Sequence, residues 1–186
     1  DIGFLQRGDE KMAENMHNNQ FIPYTDRLDY LAPIANNVGY AMAVEKLMDI
    51  EIPPRAKAIR VIICEMNRIM DHLVTLGICL TGIGAITNFF YTFNIREGFT
   101  KLQEELTGAR LTTTYTRVGG SAYDLPDDFL DKLRVMLKKL YRALSDIEGL
   151  AMRNRIFLDR TVGLGKITAE EAIGYGFTGP SLRACG

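Results

Sequence analysis

Histidine and cysteine are scarce in this chain, and their scarcity removes most metal and nucleophile chemistry. Two histidines in 186 residues leave little room for a Ser/His/Asp or Cys/His nucleophile arrangement, and no such pattern is evident. The three cysteines, Cys64, Cys79 and Cys185, lie far apart, with no CxxC pair and no histidine at ligand spacing, so the expected metal-ligand set is none. So sparse and odd a count also argues against a secreted disulfide framework, and Cys64 and Cys79 read as small apolar core residues of a cytosolic chain. Positive charge is not in excess either. With 22 Lys+Arg against 23 Asp+Glu, both signs dispersed, the chain lacks the basic footprint that nucleic acid requires. No initiator methionine, signal peptide or basic leader opens the sequence, which runs from Asp1 to Arg183-Ala184-Cys185-Gly186. That reads as a part of a longer subunit, with portions expected before and after it.

What is present is a helical pattern. A hydrophobic content of 47% suffices for one core, so residues 1–186 are expected to form a single, mainly helical domain. One charge-free run, residues 73–95, is long enough to span a bilayer. Gly77, Gly82, Gly84, Asn88, Asn94 and several threonines interrupt it, so a buried helix, a turn and another buried helix are expected instead.

Residues 7–18 read as a short helix closed by Asn18-Asn19-Gln20, after which Pro23 should hold the chain extended. Pro33 suits the first turn of a helix reaching Met48, with Ile34, Val38, Ala41 or Met42, Glu45 and Leu47 at helical spacing. Pro53-Pro54 precedes a long helix over about 55–80. Its apolar face is Ile59, Ile62, Ile63, Met66, Ile69, Met70, Leu73 and Leu80; the other carries Val61, Glu65, Arg68, His72, Thr75 and Cys79. Two further helical pieces, 86–93 and 96–106, end at Gly108. Residues 111–123, β-branched around Gly119-Gly120, predict a loop or short hairpin. Over 126–155, Leu130, Leu133, Leu137, Leu140, Leu144, Ile147 and Ala151 form the seam of a packed helix. Thr168-Ala-Glu-Glu171 is a capping box opening a last short helix that stops at Gly176.

Two constellations carry possible chemistry. The segment Ile22-Pro23-Tyr24-Thr25-Asp26-Arg27-Leu28-Asp29-Tyr30 puts tyrosine, carboxylates and arginine at a loop-to-helix junction, where a polar head group can bind. Tyr30, beside Arg27 and Asp29, can donate to a carbonyl, although a tyrosine at a helix start is commonly a packing residue. Glu65, Arg68 and His72, at i, i+3 and i+7, share one helix face. That stripe is either an ordinary solvated face or, given Val61, Leu76 and Cys79 beside it, a buried polar seam requiring full partnering. Gly119-Gly120 and Gly163-Leu-Gly165 lack the strand-then-helix context of a phosphate loop and read as turns.

Read together, "GFLQRGDEKMAEN", "IPYTDRLDYLAPIANNVGYAMAVEKL", "PPRAKAIRVIICEMNRIMDHLVTLG", "IGAITNFFYTFNIREGF", "TGARL", "RVGGSAYDLP" and "TAEEAIGYGFTGPSLRACG" resemble the quinone-site (D-type) subunit of respiratory complex I, from end to end. That family is related to the nickel–iron hydrogenase large subunit, whose paired CxxC nickel ligands are missing here. The resemblance implies an all-α, hydrogenase-large-subunit-like helical core with a short hairpin or loop near 111–123. It also implies a peripheral protein on the cytoplasmic side of the inner membrane that forms a quinone-reduction cavity with the neighbour that carries the terminal iron–sulfur cluster. The C-type subunit and a membrane-arm subunit would be further neighbours. Quinone would be the substrate, NAD would bind a distant subunit, and this chain would hold no cofactor alone. Electron transfer from NADH to quinone would be coupled to proton translocation.

Residue by residue, Tyr30 matches the family's quinone-head tyrosine, Val74 and Ile78 its cavity wall, and Arg7 and Arg27 the arginines near the cluster. Glu65, Arg68 and His72 would be a supporting polar network. Three positions depart from the family: Gln6 and Thr112 stand where it has histidines, and Gly82 where it has aspartate. With Thr112 in place, the cluster potential is expected to depend weakly on pH; a steep slope near neutrality in a redox titration would count against this. The replacements leave open a non-catalytic scaffold, or a subunit of a related hydrogenase or non-NADH dehydrogenase complex.

Overall fold

The computed structural model describes residues 3–186, and it is mainly helical with one small antiparallel hairpin. The chain divides into two compact units, Asp1–Ile147 and Glu148–Gly186.

The spine of the first unit is a helical pair. Pro53-Pro54 opens α4 (Pro54–Gly82), because proline at the first helical position gives up an N–H that has no partner there. Its predicted apolar stripe is the buried one: Ile59, Ile63, Met66, Met70, Leu73 and Leu80 all face inward. After a turn at Ile83–Ala85, α5 (Ile86–Thr107) runs back along it and stops at Gly108, whose φ of 76° is the left-handed closure that glycine allows. A single helix replaces the two pieces expected over 86–106, since nothing at Asn94-Ile95 removes a helical hydrogen bond. Close approach of the pair is made at Gly77, where an added Cβ would collide with the Thr92 hydroxyl and lie 3.5 Å from Phe89 Cα.

α3 (Pro33–Met48) packs on this pair through a polar rivet. Asn67 of α4 accepts from the Ile34 N–H (3.2 Å), one of the four donors that the first turn of α3 leaves unpaired. It donates in turn to Gln103 of α5 (2.7 Å), and Gln103 donates to the Arg110 carbonyl (3.1 Å). Met42 and Leu47, placed on the expected α3 stripe, are exposed, whereas Glu45 of the same stripe is buried.

That burial is explained by the hairpin. β1 (Thr116–Arg117) and β2 (Gly120–Ser121) pair Thr116 with Ser121 and Arg117 with Gly120. Arg60 of α4 grips Glu45 through two hydrogen bonds, 2.9 and 2.7 Å, and donates to the carbonyls of Arg117 and Gly120, both at 2.8 Å. Glu45 accepts from the Gly119 N–H as well (2.8 Å). The ion pair thus fastens the hairpin over α3 and α4: the two terminal nitrogens of Arg60 and both Glu45 oxygens are partnered, and only the Arg60 Nε–H is left buried without an acceptor among the described residues.

The N-terminal part differs from expectation. α1 (Asp9–Ala13) is shorter, and Asn18-Asn19-Gln20 opens a helix instead of closing one: α2 (Asn18–Thr25) begins with Gln20 accepting from the His17 N–H (3.0 Å). Pro23 lies inside α2 rather than in extended chain; it costs only one bond, and the helix ends two residues later.

α6 (Phe129–Ala151) buries Phe129 at its start and then Leu140, Ala143 and Ile147 at spacings of three and four, while Leu130 and Leu144 of the expected seam stay exposed. In the second unit, Asn154 caps α7 (Arg155–Thr161) by accepting from the Ile156 N–H (2.9 Å). Thr168 and Glu171 form the predicted capping box of α8 (Ala169–Gly174). α8 is not the last helix, for α9 (Gly179–Arg183) follows. No described helix is long and apolar enough to cross a membrane; the charge-free run is divided between α4 and α5.

Candidate functional site

The loop between α2 and α3 leaves Tyr30 exposed. Asp29 accepts through Oδ1 from the Leu31 and Ala32 N–H groups (3.1 and 3.3 Å), a side-chain-closed turn that fixes the backbone around its neighbour. The Asn36 amide supports the Asp29 carbonyl (3.4 Å). Tyr30 itself is 59% exposed. Leu28, two residues earlier in the loop, is exposed as well.

Two arginines meet at the end of α2. Arg7 donates to the Arg27 carbonyl (3.0 Å) and pairs with Asp9 (3.0 Å), while the Arg27 guanidinium donates to the Pro23 carbonyl. Both remain exposed, so their charges face outward beside the Tyr30 loop. Gln6, at the family's histidine position, is exposed and donates to Glu10 (3.1 Å).

Val74 and Ile78 lie one turn apart on α4, the first buried and the second exposed. After the α4–α5 turn, the first part of α5 carries exposed Ile86 and Phe90. Gly82 is exposed there, and an added Cβ would meet nothing within 4 Å, so the family's aspartate would fit sterically. Thr112 is half-buried before β1.

The stripe on α4 is solvated in this chain rather than a buried seam. Glu65 and Arg68 form an exposed ion pair, and Val61, Thr75 and Cys79 on the same side are exposed too. Cys79 is therefore not a core residue, unlike half-buried Cys64. His72 is separated from that pair's bonding and instead edges an apolar cavity of about 220 Å³ with Ile69, Leu73, Leu76, Leu140 and Leu144.

The buried polar chemistry lies elsewhere, at Glu45–Arg60, Asn67–Gln103 and Asp26–Thr114; the sequence offered Asp26 as a carboxylate near Tyr30 and Glu45 as a position on the α3 stripe, but none of the three pairings. A signal existed for two of them: Glu45 sits on the apolar stripe of α3, and Asn67 falls between Ile63 and Met70 on that of α4. The pair's pKa logic follows: hydrogen bonding from Arg60 holds the Glu45 carboxyl below its ordinary value, against the opposing effect of burial. Among the described residues no cluster of three or more His, Cys, Asp and Glu side chains could hold a metal ion.

Comparison with known proteins puts this arrangement in the class of respiratory-chain dehydrogenase subunits. Residues 82–186 match the family described as respiratory-chain NADH dehydrogenase, 49 Kd subunit, and the chain belongs to that family. The D-type NADH-quinone oxidoreductase subunit of Methylacidiphilum infernorum is 56% identical over 186 residues, 100% of this chain and 44% of that protein. A D-type NADH-quinone oxidoreductase subunit of Opitutus terrae is 54% identical over 185 residues, 100% of this chain and 43% of that protein. The C/D-type NADH-quinone oxidoreductase subunit of Bdellovibrio bacteriovorus is 46% identical over 186 residues, 100% of this chain and 33% of that protein. The chain thus spans less than half the length of these relatives.

Proposed function

We propose that this chain is the part of an NADH-quinone oxidoreductase subunit that forms one wall of a quinone-reduction site, the other wall belonging to a neighbouring iron–sulfur subunit. The carrying observation is Tyr30: an exposed phenol on a backbone frame closed by Asp29, beside the outward charges of Arg7 and Arg27. A quinone takes up two electrons and two protons to become a quinol. Negative charge develops on its carbonyl oxygens, and a donor already in place there lowers the barrier without reorganising. The Tyr30 hydroxyl donates to one carbonyl of the head. Exposed Ile78, with buried Val74 one turn before it, supplies an apolar flank, and Arg7 and Arg27 would favour the reduced state of a partner's cluster, the group that would supply the electrons.

In this reading NAD binds another subunit, the assembly translocates protons, and the chain sits peripherally on the cytoplasmic face of the membrane beside a membrane-arm subunit. The C/D designation of the Bdellovibrio relative supports a C-type neighbour. The exposed Glu65–Arg68 pair and, separately from it, His72 are the polar groups that this reading turns toward an adjoining subunit. A non-catalytic scaffold is the second reading, favoured by Gln6, Gly82 and Thr112 at positions where the resemblance implies histidine or aspartate.

Replacing Tyr30→Phe in the complete complex separates the two. Loss of one charge-assisted donor should lower quinone reduction at limiting quinone by about tenfold or more. Assembly, and NADH oxidation by an artificial acceptor, should be unchanged. Unaltered quinone turnover would support the scaffold.

A further inference from the structure

One buried carboxylate joins the Tyr30 loop to the segment before the hairpin. Asp26, at the end of α2, is fully buried, and its Oδ2 accepts from both the N–H and the hydroxyl of Thr114, each at 2.8 Å. Thr114 has φ of 45°, a left-handed conformation that a β-branched residue rarely adopts unless its surroundings impose it. Its carbonyl is held from the other side by the Arg117 guanidinium. The end of α2 is itself anchored, since the buried Asn37 amide donates to the Ile22 carbonyl (3.1 Å) and the Thr25 hydroxyl (2.8 Å).

As a device for stability this link is poor. Asp26 Oδ1 and the hydroxyls of Thr113 and Thr116 are buried with no hydrogen-bond partner among the described residues, and unmet polar groups cost free energy. As a device for position it is effective. The residues following Asp26 carry Arg27 and Tyr30; two residues before Thr114 stands Thr112. We propose that Asp26 is a positioning residue that sets the Thr112 segment against the Tyr30 loop, and so sets the spacing between quinone head and partner cluster. This rests on the quinone-site reading above.

The test uses the complete complex with Thr114→Val, which removes the hydroxyl donor but keeps the branched shape and the N–H, and Thr114→Ser, which keeps the donor. Asp26→Asn is a second, independent variant. The readouts are kcat and KM for a short-chain quinone and the paramagnetic resonance line shape of the partner's reduced cluster. Thr114→Val and Asp26→Asn should each raise KM at least threefold, with a smaller change in kcat, and should alter the line shape; Thr114→Ser should retain parental values. Parental KM and line shape in the assembled variants would overturn the proposal, and so would a loss confined to the amount of complex formed. Tyr30→Phe serves as the control. If it impairs quinone reduction while Thr114→Val and Asp26→Asn behave as parent, only the positioning role falls; if it changes nothing, the quinone-site reading falls and takes this one with it.

Discussion

Cys64 and Cys79 occupy one helix and differ in reactivity through what covers them. Burial, reinforced by the Glu65 charge, pushes the Cys64 thiol up to about 11, whereas Cys79 lies in solvent. The thiolate is the nucleophile, so Cys64 is protected twice, by access and by protonation. Iodoacetamide at about pH 8 should alkylate Cys79 well before Cys64 in the folded chain, as peptide mass spectrometry would read. Equal rates would contradict the burial of Cys64. At this scale the sequence is least informative: both cysteines look apolar, and only the neighbouring side chains distinguish them. Tyr30 is similar. Its place at a loop-to-helix junction was legible, but not the Asp29 turn that frames it, because a side-chain-to-backbone bond two and three residues on depends on the loop's conformation.

Between elements, the α4–α5 contact rests on Gly77. Adding a methyl there drives Cβ into the Thr92 hydroxyl with Phe89 backbone close behind, so Gly77→Ala should destabilise the chain by about 1–3 kcal/mol. Gly82→Ala, in open space, should be neutral or stabilising by up to about 1 kcal/mol. Urea unfolding of the two variants side by side checks the contrast, and matching midpoints would refute it. The apolar stripe of α4 and the capping box at Thr168 were readable because period and cap are local properties. The α2 start was misread for the converse reason: Asn18-Asn19-Gln20 can end one helix or begin another, and the bond from His17 to Gln20 decides between them.

For the molecule as a whole, Glu45 and Arg60 tie α3, α4 and the hairpin into one structure. The Glu45 carboxyl is held below its ordinary value of 4.5. Its contribution is therefore present above that pH and is lost as pH falls through the lower folded value. Stability measured by urea should decline in that acid range for the parent. Glu45→Gln should be less stable at neutral pH by about 3–5 kcal/mol, because Arg60 is left buried without its counter-charge, and should show a shallower acid decline. Parallel pH profiles would exclude the role.

The order and type of most helices, the hairpin turn, the inward face of α4 and the resemblance to a family were set by the chain's own residues, since periodicity, caps and prolines act over a few positions. Which polar groups are buried, and which partners satisfy them, was decided only by tertiary structure. Asp26 meets Thr114, and Arg60 the hairpin carbonyls, across long stretches of chain. Nothing in either local sequence marks the other, because a hydrogen bond between distant segments exists only once the apolar faces around it have closed.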